Sequence, residues 1–359
     1  MFSEEKAIED LVAIYDESFK RITKRIVNSK IEGKSTYSDA RILADIKKTR
    51  DKLIIDNNYF SDKVVTNVYG RTQEEVIEKL KQSGVIGKQS DKFLKVHNDA
   101  IKELVKNLKN NLNNQVINVG RKSKDTLKRI TEKSAIMRTA GATTKEESIN
   151  ETTEMFIKRG IDKVVYKNGA VTNIKDYVRM ATRTVTDASI NKATINQALE
   201  YEVNLVQMSF HSTSCPICAP YQGRVYCIEG SKGYPNINTI NNGVIVEYGV
   251  VHPNCHHRML PYIKKLDKNS AEVKVASNKE FSDNRTEWSK KRYNRRQDIT
   301  RFERKTRRLK EENELLSKIK DTEDKIKKNK EMISRTKKEI RKIKAWEIDG
   351  MKNNKLFTN

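Results

Sequence analysis

The sequence predicts a mainly α-helical protein interrupted by one small α+β module, and three observations predict it. Apolar residues make up 36% of the 359 residues and charged residues 33%, a balance that favours extended helices sharing a modest core. Apolar side chains recur at three- and four-residue steps through the N-terminal part. All four cysteines, all five prolines and four of the five histidines fall between His211 and Pro261, so this stretch differs chemically from the Lys-rich sequence around it. Residues 1–159 are expected to form a helical N-terminal region, 160–265 the α+β module, and 266–359 a basic helical or coiled-coil arm.

Each element has its own signal. Ile8, Leu11, Val12, Tyr15, Phe19, Ile22 and Ile26 form one apolar stripe, and Ser3 with Glu4, Glu5 and Glu9 suits a helix start. A second helix is expected from about Ser90 to Val116 on Leu94, His97, Ile101, Leu104, Leu108 and Leu112. Shorter helical pieces are expected between the two, one of them over about Thr72 to Gln82. His97 lies on the apolar face, where helical period alone accounts for it as a packed histidine. Val164 to Thr172 pairs two β-prone runs around Asn168-Gly169, a strong hairpin signal. A helix follows from about Ile174 to Glu200, then a strand over Val203 to Phe210 that enters the cysteine region. Val244 to Val251 reads as another strand, leading directly into His252.

After Pro261 the chain becomes charged and helical again. Lys290 to Lys310 carries eleven Lys or Arg against two acids. Farther on, Ile319, Ile326, Ile333 and Ile340 fall seven apart, while the positions three residues later hold Thr322, Asn329, Thr336 and Ile343. A heptad with so polar a second seam predicts either a weak coiled coil, self-associating through 315–343, or a solvated helix or one arm of a helical hairpin.

The net charge of +24 predicts attraction to polyanions. Lys290, Lys291, Arg292, Arg295, Arg296, Arg301, Arg304, Lys305, Arg307 and Arg308 are the candidate nucleic-acid contacts. Their chemistry suits sequence-independent, salt-sensitive binding to double-stranded DNA, and the alternative is a helix face paired with an acidic protein neighbour. No helix-turn-helix or aromatic-interleaved patch suggests base readout. No apolar run approaches the length needed to span a bilayer, so no membrane partner is expected. Met1-Phe-Ser-Glu-Glu carries no export signal, and clustered cysteines without one favour metal ligation over disulfides.

Cys215-Pro-Ile-Cys218 and His252-Pro-Asn-Cys255 have the paired spacing of a four-coordinate zinc site. Thiolate and imidazole are the ligands Zn2+ prefers, and the prolines help each knuckle to turn. Cys215, Cys218, His252 and Cys255 are the first choice of ligands, with His211, Cys227, His256 and His257 as further candidates. Cys227 follows Val225-Tyr226 in a strand-like run, where a thiol packs as a small apolar residue. Four protein ligands predict a closed structural site rather than a catalytic one. The expected fold class is therefore mainly α with a small α+β zinc-stapled module, a long helical N-terminal part and a long charged C-terminal helix or weak coiled coil.

Tyr177-x-x-Met180-x-x-Arg183-Thr184, Ser209-Phe-His211, Cys218-Ala-Pro-Tyr-Gln222-Gly223-Arg-Val-Tyr226 and His252-Pro-Asn-Cys255-His256-His257 together resemble the phage minor capsid protein 2 family. The resemblance is dense over about Tyr166 to Tyr262 and looser over the N-terminal helices. It implies a low-copy internal head protein of a tailed phage, associated with the portal protein and other head proteins. Head morphogenesis or genome delivery is the role it implies. The location it implies is the virion, inside the phage head, and the host cytoplasm during assembly. The family pattern matches at His211, Cys218, His252, Cys255 and His257 and departs at Cys227 and His256, which makes His211 a competitor of Cys215. No enzyme is expected. The alternative is an ADP-ribosyltransferase-like enzyme carried in the head, to which some proteins of this broad group have been likened, using Arg183, Ser209 and Gln222. A zinc-dependent nuclease would need carboxylates near the cluster, and only Glu229 and Glu247 lie between the knuckles.

Overall fold

The computed structural model describes residues 3–31, 36–87, 91–139, 143–159, 161–166, 168–230, 233–243, 251–266, 269–283 and 285–353. Helices dominate them: α1 (Glu4–Ile31), α2 (Thr36–Gln82), α3 (Asp91–Thr139), α4 (Lys145–Arg159), α5 (Ile174–Glu200), α6 (Ser270–Asn278), α7 (Glu287–Leu316) and α8 (Glu323–Asn353). Short strands β1 (Lys163–Val165) and β2 (Val171–Asn173) precede α5, and β3 (Leu205–Met208), β4 (Val225–Cys227) and β5 (Met259–Pro261) follow it. The chain groups into two compact units, one of Met1–Asp16, Asp51–Ile117 and Val164–Arg285, the other of Glu17–Arg50, Asn118–Lys163 and Thr286–Asn359. Each unit draws on more than one of the three consecutive regions expected from the sequence.

α2 is one helix where shorter pieces were expected. Asn57, Asn58 and Gly70 interrupt its apolar pattern, but the interruption is built into the core rather than breaking the helix. The Tyr15 hydroxyl donates to Asn57 Oδ1 at 2.9 Å, Asn57 Nδ2 to Asn113 Oδ1 at 2.9 Å, and Asn113 Nδ2 to Asn58 Oδ1 at 2.9 Å. Asn57 is fully buried, and both polar atoms of its amide have a partner. α3 likewise runs past Val116, because Val119, Leu127 and Ile130 continue its buried stripe. His97 is packed on that helix: Tyr69 OH donates to its Nδ1 at 2.9 Å and accepts from Asn196 Nδ2 at 2.8 Å, while its Nε2 stands 3.5 Å from Glu200.

β1 and β2 form the expected hairpin. Gly169 takes the left-handed φ of 82° that its turn requires, and Asn168 Oδ1 accepts the Ala170 N–H. α5 starts at Asn173, whose side chain caps the Lys175 N–H. It is buried on nearly every side, and small residues such as Thr182, Ser189, Asn191, Ala193 and Ala198 let its neighbours approach closely. The expected strand over Val203 to Phe210 is the central strand of a three-stranded antiparallel sheet of order β4-β3-β5. Val206 pairs with Tyr226 on one side and Pro261 on the other, and Pro261 is tolerated because β5 is an edge strand. The strand expected over Val244 to Val251 falls, except for Val251, outside the described residues.

Arg224, in the turn before β4, ties α6 and the following segment to this sheet. Its guanidinium donates to the carbonyls of Pro220, Ala276, Ser277, Lys279 and Glu280 at 2.6–3.2 Å and lies 4.6 Å from the Phe281 ring centre. Four of these carbonyls belong to the C-terminal end of α6 and the residues just after it, where orphan acceptors attract a cation. Val225 N–H reaches the same helix through Ser277 Oγ at 2.9 Å.

In the second unit α4 begins with a capping box, Glu147 N–H donating to Thr144 Oγ1 and Thr144 N–H to the Glu147 carboxylate. α7 and α8 form an antiparallel helical hairpin: Asn313 meets Asn329 at 2.9 Å, and Trp288 stacks on Trp346 with ring centres 6.2 Å apart. The heptad seam is therefore covered within the chain. Ile319 lies in the connecting turn, and the buried polar positions are satisfied locally, Thr322 by the Leu316 carbonyl and Thr336 by that of Met332. The seam expected to support self-association through 315–343 thus faces α7 of the same chain.

Two measurements check this account. Arg224→Ala is expected to destabilise the first unit by about 2–4 kcal/mol in urea unfolding, with Arg224→Lys recovering little, because a single ammonium cannot serve five carbonyls. Burial holds His97 below its ordinary value against the pull of Glu200, so its contribution is present above about pH 6.5 and lost as pH falls below. The fall in melting temperature between neutral pH and pH about 5 is expected to be smaller in His97→Gln than in the parent.

Candidate metal centre

The Cys/His cluster forms where the end of β3 meets the start of β5. Ser209 N–H donates to the Arg258 carbonyl at 2.8 Å and Arg258 N–H to Ser209 Oγ at 2.9 Å, which sets the two chain ends side by side. The first knuckle follows β3. Cys218 N–H points at Cys215 Sγ at 3.4 Å, and the Ala219 and Tyr221 amides close the turn on the Cys215 and Cys218 carbonyls. Gly223 ends it with φ 74°, handing its N–H to the Met208 carbonyl. The second knuckle precedes β5: Cys255 N–H returns to the His252 carbonyl, and Asn254 takes the left-handed φ of 63° that asparagine tolerates. Asn254 N–H donates to Thr184 Oγ1, and Asn191 binds both the His257 carbonyl and the Met259 N–H, so α5 holds this knuckle in place.

The ligand atoms fall into two groups of three that share Cys218. Those of Cys215, Cys218 and His252 lie within 4.8 Å of one another, and so do those of Cys218, Cys255 and His257. Cys215 Sγ is 3.0 Å from His252 Nε2, Cys218 Sγ 3.6 Å from Cys255 Sγ, and Cys255 Sγ 3.5 Å from His257 Nδ1. Two thiolates bound to one Zn2+ at about 2.3 Å would stand about 3.8 Å apart, so these separations suit a shared ion.

Both histidines turn one ring nitrogen to the sulfurs and anchor the other on the protein. His252 Nδ1 lies 2.6 Å from the Pro253 carbonyl, which can only accept, so Nδ1 carries the proton and Nε2 faces Cys215. Gln222 Oε1 accepts the His211 backbone N–H at 2.9 Å, which fixes the orientation of its amide, and also faces His257 Nε2 at 3.2 Å. His257 Nε2 therefore carries its proton and Nδ1 turns to Cys255. Orienting an imidazole through its second nitrogen is the arrangement metal-binding histidines require.

The electrostatics favour thiolates. Hydrogen bonding from Cys218, then from His252, brings the Cys215 thiol down to about 4 against the effect of burial, and the Cys215 sulfur raises His252 to about 9. Cys218, between Cys215 and Cys255, is pushed up, whereas Cys255 is pulled down by Cys218 and His257.

The remaining candidates lie elsewhere. His211 belongs to neither group; its Nε2 meets Ser209 Oγ at 3.1 Å and its ring stands edge-on to His257, centres 4.6 Å apart. His256 turns away toward α5, with Nδ1 3.1 Å from Asp187, which also pairs with Arg258 at 2.8 Å. Cys227 is buried beside Val225, Tyr234 and Tyr262 in an apolar cluster. Arg183 pairs with Glu5 and Glu9, Ser209 and Gln222 bind the histidines just described, and no contact among the described residues joins Arg183 to either. Gln222 and Asn191 are the orienting residues that sequence reasoning missed as such. The nearness of Gln222 to the knuckle in Cys218-Ala-Pro-Tyr-Gln222 was the available signal for the first, and the second had none.

The basic candidates all lie on α7. Lys291, Arg296, Arg301, Arg304, Lys305 and Arg308 are exposed, and Lys290, Arg295 and Arg307 are half-buried. Arg292 is only 8% exposed; it meets Glu347 at 2.6 Å and lies over the Trp288 ring, so its charge is spent inside the hairpin.

Comparison with known proteins completes the picture. The chain matches the family described as "Phage minor capsid protein 2" over residues 6–343. It is also similar to a "Structural protein" of Lactococcus phage LL-H, 25% identical over 183 residues that cover 46% of this chain and 46% of that protein. The chain thus spans about half the length of that curated relative. No solved structure matches. No helix among the described residues is long and apolar enough to cross a membrane. With the family pattern extending over nearly its whole length, the chain belongs to the phage minor capsid protein 2 family, a family of structural proteins of the virion.

Proposed function

We propose that the protein acts inside the head of a tailed phage, associated with the portal protein and other head proteins, in head morphogenesis or genome delivery. Its α+β module is pinned by one structural Zn2+, and its basic C-terminal hairpin contacts packaged DNA. The observation that carries the zinc reading is the convergence of two sequence-distant knuckles on Cys218. Cys215, Cys218 and Cys255 would supply thiolates, with His252 or His257 as the fourth ligand. Soft donors and no carboxylate in either group suit Zn2+ in a closed site. Such an ion contributes on the order of 10 kcal/mol of apparent folding free energy, which matters for a sheet of three- and four-residue strands.

Metal analysis of the folded protein is expected to find about one zinc per chain. Cys218→Ser is expected to abolish it, because both ligand groups contain Cys218, and Cys227→Ser is expected to retain it. Zinc well below one per chain in folded material would end the zinc reading. Cross-linking in assembled particles tests the location separately: adducts with the portal protein are expected, and their absence beside abundant links to outer-shell proteins would place the chain elsewhere.

A further inference from the structure

The two helices of the C-terminal hairpin carry the same charge, eleven Lys or Arg and six acids each, but engage it differently. Seven of the ten α7 residues that first suggest a polyanion contact have a partner, while Lys291, Lys305 and Arg308 are exposed with no ion pair among the described residues. Lys290 pairs with Glu287 at 3.0 Å and Arg301 with Asp298 at 2.9 Å. Arg292 and Arg296 both meet Glu347, the Arg295 guanidinium lies 3.9 Å from the Trp346 ring centre, and Arg304 and Arg307 have partners of their own.

α8 is different. Lys327, Lys330, Arg335, Lys337, Lys338 and Arg341 are all exposed, and no carboxylate among the described residues pairs with any of them. The lysines of α8 that do have ion pairs are Lys325, with Glu154, and Lys342, with Glu339. The cause is helical geometry. Ile326, Ile333, Ile340 and Thr336 turn one face toward α7, so at about 100° per residue the opposite half faces outward. Lys330, Lys337 and Arg341 border the buried face, about 75° round the helix from its centre, within an arc of about 40° and over about 17 Å of the helix.

A row of cations on a long rod fits a line of evenly spaced negative charge better than it fits a compact anion. Duplex DNA presents about one charge per 1.7 Å of its axis. Base stacking is not offered, because Trp346 is stacked on Trp288 and covered by Arg295. We infer that α8, rather than α7, carries the main phosphate-binding face of this protein, and that its ligand is the backbone of double-stranded DNA. The inference rests on the reading of the hairpin as a DNA-contacting arm and changes which residues make the contact.

The test is binding of the full chain to a short mixed-sequence duplex, followed by fluorescence anisotropy from low to moderate salt. One variant carries Lys330→Gln, Lys337→Gln and Arg341→Gln, and a second carries Arg301→Gln, Arg304→Gln and Arg308→Gln; glutamine preserves helix propensity, and circular dichroism verifies it. The α8 variant is expected to bind at least about tenfold more weakly, with the slope of log affinity against log salt reduced by about three, and the α7 variant to lose less than about one unit of slope. An α7 variant that loses as much or more overturns the inference and leaves DNA binding standing. A parent protein that ignores the duplex removes both, and binding to polyglutamate in its place would give the α8 face to an acidic protein.

Discussion

The constraint on which this fold depends is a shortage of apolar side chains. With one residue in three charged, the chain cannot fill its interior with hydrocarbon alone, and directed polar bonds complete the packing. The Tyr15–Asn57–Asn113–Asn58 ladder and the Asn196–Tyr69–His97 chain lie among helices, where each buried polar atom must find a partner or forfeit its hydration. Arg224 does the same for α6. Such bonds are directional, so they select one register of helix against helix where a thin apolar stripe would tolerate several.

The same economy governs the Cys/His module. Its sheet contributes a small buried apolar face, with Val206, Met208 and Val225 inside it, and most of the module consists of turns. The turns are held by Gly223, Asn254, Asn191 and Gln222, each acting on backbone or imidazole. Gln222 links the two knuckles directly, because one oxygen accepts from the His211 backbone after β3 and from the His257 ring before β5. Gln222 thereby helps to bring the donors of both knuckles together and to orient them, as a structural metal site requires. The zinc itself is our proposal; the gathering of its donors is a property of the fold.

In the hairpin, charge is both mortar and surface. Glu347 gathers Arg292 and Arg296, and the Trp288–Trp346 pair is overlaid by Arg292 and Arg295, so the open end of the hairpin is closed by cations that a linear count of charge would assign to solvent. The polar seam of Thr322, Asn329 and Thr336 is no defect once α7 is opposite it, because each side chain bonds within the hairpin. The consequence is a two-helix arm in which both helices expose basic residues, those of α8 largely without partners among the described residues.

Features set by a few neighbouring residues were legible in the sequence alone. The limits of α5, the turn at Asn168-Gly169, the strand entering the cysteine region and the paired Cys/His knuckles all follow from period, capping and turn chemistry within a short span. Tertiary structure decided whatever joins residues far apart in the chain. It carried α2 through Asn57 because Asn113, 56 residues away, satisfies that amide, and it placed Arg224 against carbonyls up to 56 residues downstream. It chose the inward nitrogen of His257 through Gln222 and turned His256 to Asp187. It also gave most of the basic run of α7 a partner while leaving most of that of α8 exposed and unpaired among the described residues. The physical reason is that a local pattern states which groups are polar, apolar or charged, whereas packing alone determines which of them find partners.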